Sequence, residues 1–281
     1  MKRVAIIGTG LIGASFGLAL RRAGFDGVIV GVSSQAAIAD AVQAGAIDSG
    51  APLAEAVAGA DLVFLSQSIG RILDTIRHLD PLLQPGALVT DAGSTKTEIV
   101  DLARQFLRRA QFLGGHPMAG KETRGASSAE AGLFEGRTWV VTPDEPAELE
   151  TPAARDLLGW LRRIGARLVV LDCDEHDRVV AFTSHLAQLA STALASTVSE
   201  NLHRDAHLQV AGPGLTDMTR LALSSYDLWR DILATNSEHI DRALARYIQE
   251  LEHIRENLRT RQLQEEFARG AQLAGKVRKR D

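Results

Sequence analysis

Short apolar runs of strand length recur along residues 1–172 and alternate with segments that have helical spacing. They are Val4–Ile7, Val28–Val32, Leu62–Leu65, Ala87–Thr90, Gln111–Gly114, Thr138–Val141 and Arg167–Leu171. Apolar strands that alternate with helices are typical of a mainly parallel sheet covered by helices on its faces. The pattern therefore predicts an α/β domain over residues 1–172.

After Asp172 the strand pattern stops, and long helices are predicted at 175–203, at 205–223 with a break at 212–214, and at 226–269. We therefore expect a second, all-helical domain over 173–281. Helices of this length with many apolar positions in so small a domain bury those positions well against a second copy of the chain. The sequence predicts a homodimer formed through the helical domain.

A glycine pattern, Gly8-x-Gly10-x-x-Gly13, follows the first apolar run directly and opens a helical stretch. In a strand–turn–helix context this pattern predicts a Rossmann-type dinucleotide-binding domain, with the pyrophosphate at the helix N-terminus. The predicted cofactor-binding residues are Gly8, Gly10, Leu11, Ile12, Gly13, Ser33, Ser34, Ser66 and Ser94.

The end of the second strand bears on the choice between NAD and NADP. An Asp or Glu there bonds the ribose 2′-hydroxyl and repels a 2′-phosphate, whereas this chain has Ser33, Ser34 and Gln35. Two hydroxyls and a neutral amide favour NADP over NAD, although no arginine accompanies them. The two serines also suit an N-cap of the next helix, and both roles are compatible.

Composition narrows the class of protein. The chain has 281 residues, 45% hydrophobic, with a formal net charge of −4 and a single cysteine, Cys173. These values predict a cytoplasmic enzyme with no nucleic-acid partner, no membrane association, and no disulfide within the chain. The uncharged segment 4–20 is interrupted by glycines and closed by two arginines, so we interpret it as strand plus helix rather than as a signal peptide or membrane span. A metal site at His176 and His185 is disfavoured, because no carboxylate has the required spacing.

Two segments carry groups suited to catalysis. His116 follows a strand and precedes a proline in a glycine-bracketed segment, which predicts an accessible loop histidine that can act as a general base. Ser94, after another strand, suits a bond to a substrate hydroxyl or to the histidine, and equally an N-cap for a helix from Thr95. Glu122 is predicted either to orient substrate or to be an exposed loop carboxylate.

Arg220 lies in a turn-to-helix segment of the helical domain. A guanidinium binds a carboxylate through two charge-assisted hydrogen bonds, so Arg220 is a candidate clamp for an acidic substrate. The alternative is a surface ion pair with Asp217.

Taken in order, the motifs are GTGLIG at 8–13, DAGSTK at 91–96, GGHPMAG at 114–120, DEHD-x6-SH from 174, and DMTR-x8-W ending at Trp229. This ordered set, spread over nearly the whole chain, resembles the prephenate/arogenate (cyclohexadienyl) dehydrogenase family of tyrosine biosynthesis. The resemblance implies an NAD(P)-dependent oxidative decarboxylation of prephenate to 4-hydroxyphenylpyruvate, of arogenate to tyrosine, or of both.

The resemblance also implies roles for individual residues. His116 would accept or polarise the proton of the substrate 4-hydroxyl, Ser94 would hold that hydroxyl and the histidine, and Arg220 would bind a substrate carboxylate. The remaining pocket residues would be Glu122, His185, Gln188 and Trp229, with His176 supporting the helix packing.

Three departures from the family pattern matter. Gln188 replaces the second histidine of the usual Ser-His-Leu-Pro-His, which leaves prephenate and arogenate both open as substrates. Leu215 and Thr216 stand where a phenylalanine and a basic residue are common. Ser66-Gln67-Ser68 replaces the usual Cys-Thr-Pro near the cofactor.

The sequence disfavours two other functions. A hydroxyacid dehydrogenase of the same architecture would need a lysine early in the helical domain, and none occurs between Lys121 and Lys276. A non-catalytic nucleotide-sensing protein would keep the glycine pattern but would have no reason to keep His116, Ser94 and Arg220 together.

Overall fold

A computed structural model describes residues 1–121, 123–260 and 262–279. Within these residues, one eight-stranded sheet is formed by β1 (Arg3–Ile7), β2 (Val28–Val32), β3 (Ser49–Gly50), β4 (Leu62–Leu65), β5 (Leu88–Asp91), β6 (Gln111–Pro117), β7 (Thr138–Thr142) and β8 (Arg167–Val170). The seven predicted strands are confirmed within three residues at their ends. The short edge strand β3 was missed, because two exposed residues carry no apolar signal.

The strand order is β3-β2-β1-β4-β5-β6-β7-β8. Strands β1 to β6 are parallel, β7 is antiparallel to β6, and β8 is parallel to β7. The chain order reverses between β1 and β4, and ligands of such sheets bind outside the carboxyl ends of the strands at this reversal. The predicted Rossmann-type fold is confirmed.

The helices of the first domain lie on both faces of the sheet and cover two apolar cores. They are α1 (Leu11–Arg22), α2 (Gln35–Gln43), α3 (Leu53–Val57), α4 (Ile69–Leu79), α5 (Thr97–Phe106) and α6 (Pro152–Arg163). Helix α5 begins at Thr97 rather than at Thr95, and Lys96 occupies its N-cap position. Of the two roles considered for Ser94, the N-cap of this helix is therefore wrong.

From Cys173 onward the described residues are helical or irregular. The helices are α7 (Cys173–Val180), α8 (Leu186–Asn201), α9 (Asp205–Leu208), α10 (Pro213–Thr219), α11 (Tyr226–Thr235), α12 (Ser237–Glu256) and α13 (Gln264–Arg278). A π-helical segment, Ala181–His185, joins α7 to α8. No helix in the described part of the chain is long and apolar enough to cross a membrane.

The helix predicted at 175–203 corresponds to the continuous helical stretch of α7, the π-helical segment and α8, whereas the other two predicted helices are divided into shorter ones. The predicted helix 226–269 was wrong as a continuous element, because it divides at Asn236 and again between Glu256 and Gln264. The break predicted at 212–214 is confirmed by Gly212 at the N-cap of α10, with Pro213 in its first turn.

The two parts of the chain contact one another through α4, α5, α7 and α11. Ile232 and Trp229 of α11 pack against the apolar core on one face of the sheet. Asp231 accepts a hydrogen bond from the Gly70 backbone N–H (3.0 Å), and the hydroxyls of Thr95 and Thr235 are 2.7 Å apart. These contacts place α11 beside the segments that follow β4 and β5.

Candidate active site

The glycine turn after β1 is built around close backbone contacts. Gly8 has φ of 99°, a conformation that glycine adopts without strain, and its N–H donates to Val32 O at 2.9 Å. A Cβ on Gly13 would lie 2.1 Å from Gly8 O, so only glycine lets α1 approach the turn this closely. A Cβ on Gly10 would meet no atom within 4 Å. The turn is therefore tight on its inner side and open at Gly10, where α1 begins without a side-chain cap.

Ser66, which follows β4, supports this turn. Its hydroxyl donates to Gly8 O at 2.7 Å and lies 3.3 Å from Ile7 O. The serine therefore bonds the backbone of the glycine turn, and Leu11 and Ile12 begin α1 directly beyond it.

The end of β2 is exposed and free of acidic side chains. Ser33 and Ser34 are both exposed, and Ser34 caps α2 by accepting a hydrogen bond from Ala37 N at 3.3 Å. The N-cap interpretation of this serine pair is confirmed for Ser34.

His116 lies within β6, opposite Val140 of β7, and is only 8% exposed. The prediction of a loop histidine was wrong: β6 continues through the two glycines to Pro117, past the last residue of β5. This extension places His116 beyond the carboxyl end of β5, at the same edge of the sheet as the glycine turn.

Burial lowers the pKa of His116 well below 6.5. The neighbouring His176, Lys96 and His185 lower it further. Since a buried imidazole with a depressed pKa is unprotonated near neutral pH, His116 can accept a proton there.

A hydrogen-bonded chain leads away from His116 into the helical domain. His116 Nδ1 lies 2.8 Å from His176 Nε2, and His176 Nδ1 lies 2.8 Å from Asp177 Oδ1. His176 and Asp177 are both buried on α7. Sequence reasoning gave His176 only a packing role and gave Asp177 none, because no local pattern pairs a strand with a helix sixty residues away.

The carboxylate of Asp177 also completes the N-terminus of α5. It accepts hydrogen bonds from the backbone N–H groups of Lys96 (2.7 Å) and Thr97 (2.9 Å). Burial on its own would raise the pKa of Asp177, but the hydrogen bonds from His176 and Thr97 outweigh burial and lower it overall.

A buried ion pair lies under the same edge. Lys96 bonds the carboxylate of Asp91 and donates to Gly115 O at 2.8 Å, and Asp91 accepts from Gly115 N at 3.0 Å. These bonds tie the end of β5 to the residue directly before His116. Burial lowers the pKa of Lys96, and the pairing with Asp91 opposes that shift.

His185 is the last residue of the π-helical segment, and it contacts Trp229 of α11 and Asn236, the residue that follows α11. The Trp229 ring stands edge-on to the His185 ring at 5.8 Å, and Asn236 Nδ2 is 3.3 Å from His185 Nδ1 and 2.8 Å from Asp177 O. Burial lowers the pKa of His185 to about 4. His116, His176, His185 and Trp229 therefore belong to one connected cluster.

Gln188 is buried on α8, one helical turn beyond His185, and donates to Leu221 O at 2.9 Å. This bond joins α8 to the short 3-10 helix Arg220–Leu223, whose first residue, Arg220, is exposed. Gln188 and Arg220 are thereby held on adjoining segments. Ser94 is half-buried in the loop between β5 and α5, and Glu122 lies outside the described residues.

Among the described residues, no group of three or more His, Cys, Asp and Glu side chains is arranged to hold a metal ion. His176 and His185 instead bond the carboxylate of Asp177 and the amide of Asn236.

A Rossmann-type domain with a buried neutral histidine beside its nucleotide-binding edge defines the class of Rossmann-fold dehydrogenases. Residues 16–170 match the family model for the prephenate dehydrogenase nucleotide-binding domain, and residues 172–273 match the model for its dimerization domain. The chain belongs to the prephenate dehydrogenase family, whose members are oxidoreductases.

Individual relatives agree with this assignment. A prephenate dehydrogenase of Lactococcus lactis is 36% identical over 85% of this chain and 66% of its own length. The structure of prephenate dehydrogenase from A. aeolicus in complex with hydroxyphenyl propionate and NAD+ matches with a TM-score of 0.88 and 29% identity, covering 100% of this chain and 99% of that one. Synechocystis arogenate dehydrogenase matches with a TM-score of 0.79 and 30% identity, covering 99% of each chain.

Proposed function

We propose that this chain catalyses the NAD(P)-dependent oxidative decarboxylation of a cyclohexadienyl acid in tyrosine biosynthesis. Its substrate is prephenate, which yields 4-hydroxyphenylpyruvate, or arogenate, which yields tyrosine, or both. The observation that carries the proposal is the buried His116 at the carboxyl edge of the sheet, beside the open glycine turn, where burial lowers its pKa well below 6.5.

The residues around the turn fit a dinucleotide. The space at Gly10 and the free N-terminus of α1 suit a pyrophosphate, and the nicotinamide that arrives with it would accept the hydride. His116 takes the proton of the 4-hydroxyl group as the hydride leaves C4, and the oxygen becomes a carbonyl. Loss of CO2 from C1 then returns the electrons of the broken C–C bond to the ring, and the oxygen recovers a proton to give the phenol.

The other site residues bind and orient the substrate. Arg220 clamps a substrate carboxylate, and Ser94 holds the 4-hydroxyl toward His116. Glu122, His185 and Trp229 shape the pocket, and Gln188 faces the substrate side chain. The amide nitrogen of Gln188 donates to Leu221 O (2.9 Å) and to Thr192 Oγ1 (3.1 Å), so its oxygen is the group left for the substrate side chain, and prephenate and arogenate both stay candidates.

NADP is the favoured cofactor, with NAD as the alternative. The exposed hydroxyls of Ser33 and Ser34 and the absence of an acid at the end of β2 support this preference, because nothing there repels a 2′-phosphate. The remaining cofactor contacts are assigned to Gly8, Gly10, Leu11, Ile12, Gly13 and Ser94, with Ser66 supporting the turn.

The working unit is a homodimer joined through the helical domain, which we place at residues 173–281, after a nucleotide-binding domain at 1–172. The match of residues 172–273 to a dimerization domain supports this assembly. A cytoplasmic location remains a prediction.

The first experiment follows reduced-cofactor formation with prephenate and with arogenate, each in the presence of NAD and of NADP. Turnover of at least one pair is expected, and the four values of kcat/KM fix substrate and cofactor preference together. If the protein binds a dinucleotide but turns over neither acid, the proposal is wrong and a hydroxyacid substrate or a nucleotide-sensing role takes its place.

A further inference from the structure

The chain His116–His176–Asp177 joins a strand of the nucleotide-binding domain to a helix of the helical domain. All three side chains are buried, and both of the links between them measure 2.8 Å. A histidine needs no second buried histidine merely to pack against a helix. The two hydrogen bonds instead fix which ring nitrogen of each histidine carries a proton.

The direction of each hydrogen bond follows from the far end of the chain. Asp177 accepts from the backbone N–H groups of Lys96 and Thr97, so its carboxylate is bound in a setting that favours the ionised, acceptor-only form. The link from Asp177 to His176 must then be donated by His176 Nδ1–H. In a neutral His176 ring, Nε2 is consequently an acceptor.

The same reasoning extends to the second link. Because His176 Nε2 accepts, the bond to His116 is donated by His116 Nδ1–H. The unprotonated nitrogen of His116 is then Nε2, the one ring nitrogen left to take a proton from a substrate hydroxyl.

The groups around His116 disfavour a positive charge on its ring. Lys96 and His185 face the cluster along with His176, and Asp177 is the carboxylate within it. The Lys96 ammonium group is buried and paired with Asp91. The carboxylate of Asp177 therefore interacts with His176 and with the backbone N–H groups at the start of α5.

We infer that His176 and Asp177 are positioning residues, which hold His116 in the tautomer that carries its proton on Nδ1 and keeps Nε2 as the base. This inference deepens the proposed function and rests on it for the identity of the proton donor. The assignment of the tautomer itself rests only on the hydrogen-bonded chain. As His116 becomes protonated in the reaction, the carboxylate of Asp177 also stabilises the resulting charge through His176.

The first test observes the tautomer directly in the full-length protein. Long-range 1H–15N NMR of 15N-histidine-labelled protein distinguishes Nδ1–H from Nε2–H rings, and the His116 signals are assigned by their loss in His116→Gln. We expect an Nδ1–H ring in the wild type and a mixture of tautomers in His176→Gln. An Nε2–H or doubly protonated His116 in the wild type at neutral pH would overturn the inference, whether or not the protein turns over either acid.

The second test is kinetic and separates positioning from folding. His176→Gln leaves both backbone bonds of Asp177 to α5 intact, so it breaks the histidine chain without uncapping the helix. We expect kcat to fall about 10- to 100-fold, less than the 10²–10⁴-fold typical of losing a general base, with substrate KM within about threefold. Asp177→Asn should also move the acid limb of the kcat–pH profile to lower pH, because the charge that stabilises protonated His116 is gone.

The matched control is Thr235→Ala, which removes another link between the two domains, the partly buried hydroxyl pair with Thr95. Its kcat should stay near the wild-type value. The decisive comparison adds His176→Gln to the His116→Gln variant. No further loss of kcat is expected there, because His176 acts through His116. An additional loss equal to that in the wild-type background would show a merely structural role and contradict the inference, whereas absence of turnover in the wild type would instead contradict the proposed function.

Discussion

His116 concentrates the chemistry of the site in one side chain, so its replacement should affect catalysis more than binding. We predict that His116→Gln lowers kcat by about 10²–10⁴-fold, the usual cost of losing a general base. The affinity for the dinucleotide should remain near that of the wild type, because His116 lies on β6 rather than in the glycine turn. Steady-state kinetics and a cofactor titration test this, and a change confined to KM would contradict the role of base.

Arg220 is expected to act on the substrate alone. Arg220→Ala would leave a desolvated substrate carboxylate without its partner, at a cost of about 2–5 kcal/mol in kcat/KM. The matched control is Arg178→Ala, which removes an arginine whose ion pair with Glu175 is on the surface (3.6 Å). If the two variants have the same kcat/KM as the wild type, Arg220 does not belong to the site.

His185 makes stability depend on pH in a defined window. Burial lowers its pKa from 6.5 to about 4, so between these values the unfolded chain binds a proton that the folded protein does not. The stability contributed by the neutral ring is therefore complete above 6.5 and is lost as the pH falls towards 4. His116, whose pKa is also lowered, adds a loss of the same sign.

We predict that the free energy of unfolding of the wild type, measured by urea titration, decreases between pH 6.5 and 4 more steeply than that of His185→Gln. The glutamine variant keeps a polar group for Asn236 but cannot take up the proton. Equal slopes in the two proteins would assign the pH dependence to other groups.

At the scale of elements, the glycine turn offers a pair of substitutions with opposite consequences. Gly13→Ala places a Cβ 2.1 Å from Gly8 O and should lower the free energy of unfolding by about 1–3 kcal/mol, the usual cost of overpacking. Gly10→Ala meets no protein atom within 4 Å and should leave stability near the wild-type value. Its methyl group would occupy the space of the pyrophosphate, so dinucleotide affinity should fall by at least about tenfold, or about 1.4 kcal/mol.

Thermal unfolding and cofactor titration of both variants separate the two effects. Tight dinucleotide binding by Gly10→Ala would move the phosphate site away from this turn. Full stability of Gly13→Ala would mean that α1 shifts without cost.

The strands and the glycine turn were predictable because their signals are local. An apolar run followed at once by Gly8-x-Gly10-x-x-Gly13 specifies strand, turn and helix within about a dozen residues. Helix ends were less predictable, because distant residues set them. The first N–H groups of α5 bond Asp177, about eighty positions along the chain, so the nearby Ser94 is not needed as a cap.

The same reason explains the error at Asn236. Its backbone leaves the helical region, with φ of −132° and ψ of 27°, and its side chain bonds Asp177 O and His185. Apolar periodicity continues across this position, so a single sequence indicates one long helix there. Motif resemblance supplied His116 and its neighbours, but the link from His116 to Asp177 exists only once β6 and α7 are packed together.

At the scale of the molecule, the apolar stripe of α12 continues past the end of its intramolecular partner. Ile240 is buried and Leu244 packs against the same small core, yet Ile248 and Leu251, which continue the stripe at helical spacing, are 51% and 46% exposed. Helix α13 contacts α12 from another side, through Glu250 and His253. The exposed half of the stripe is therefore available to a second copy of the chain.

We predict that the wild type has twice the mass of one chain in size-exclusion chromatography with light scattering, and that Ile248→Glu or Leu251→Glu shifts it towards the monomer. A charge buried in an apolar interface is costly, whereas the same charge on a monomer surface is not. Val42→Glu is the control, since Val42 is similarly exposed (42%) but lies on α2 of the nucleotide-binding domain. If Val42→Glu dissociates the protein while the two α12 variants remain dimeric, the contact lies on the nucleotide-binding domain, and a monomeric wild type would exclude the dimer altogether.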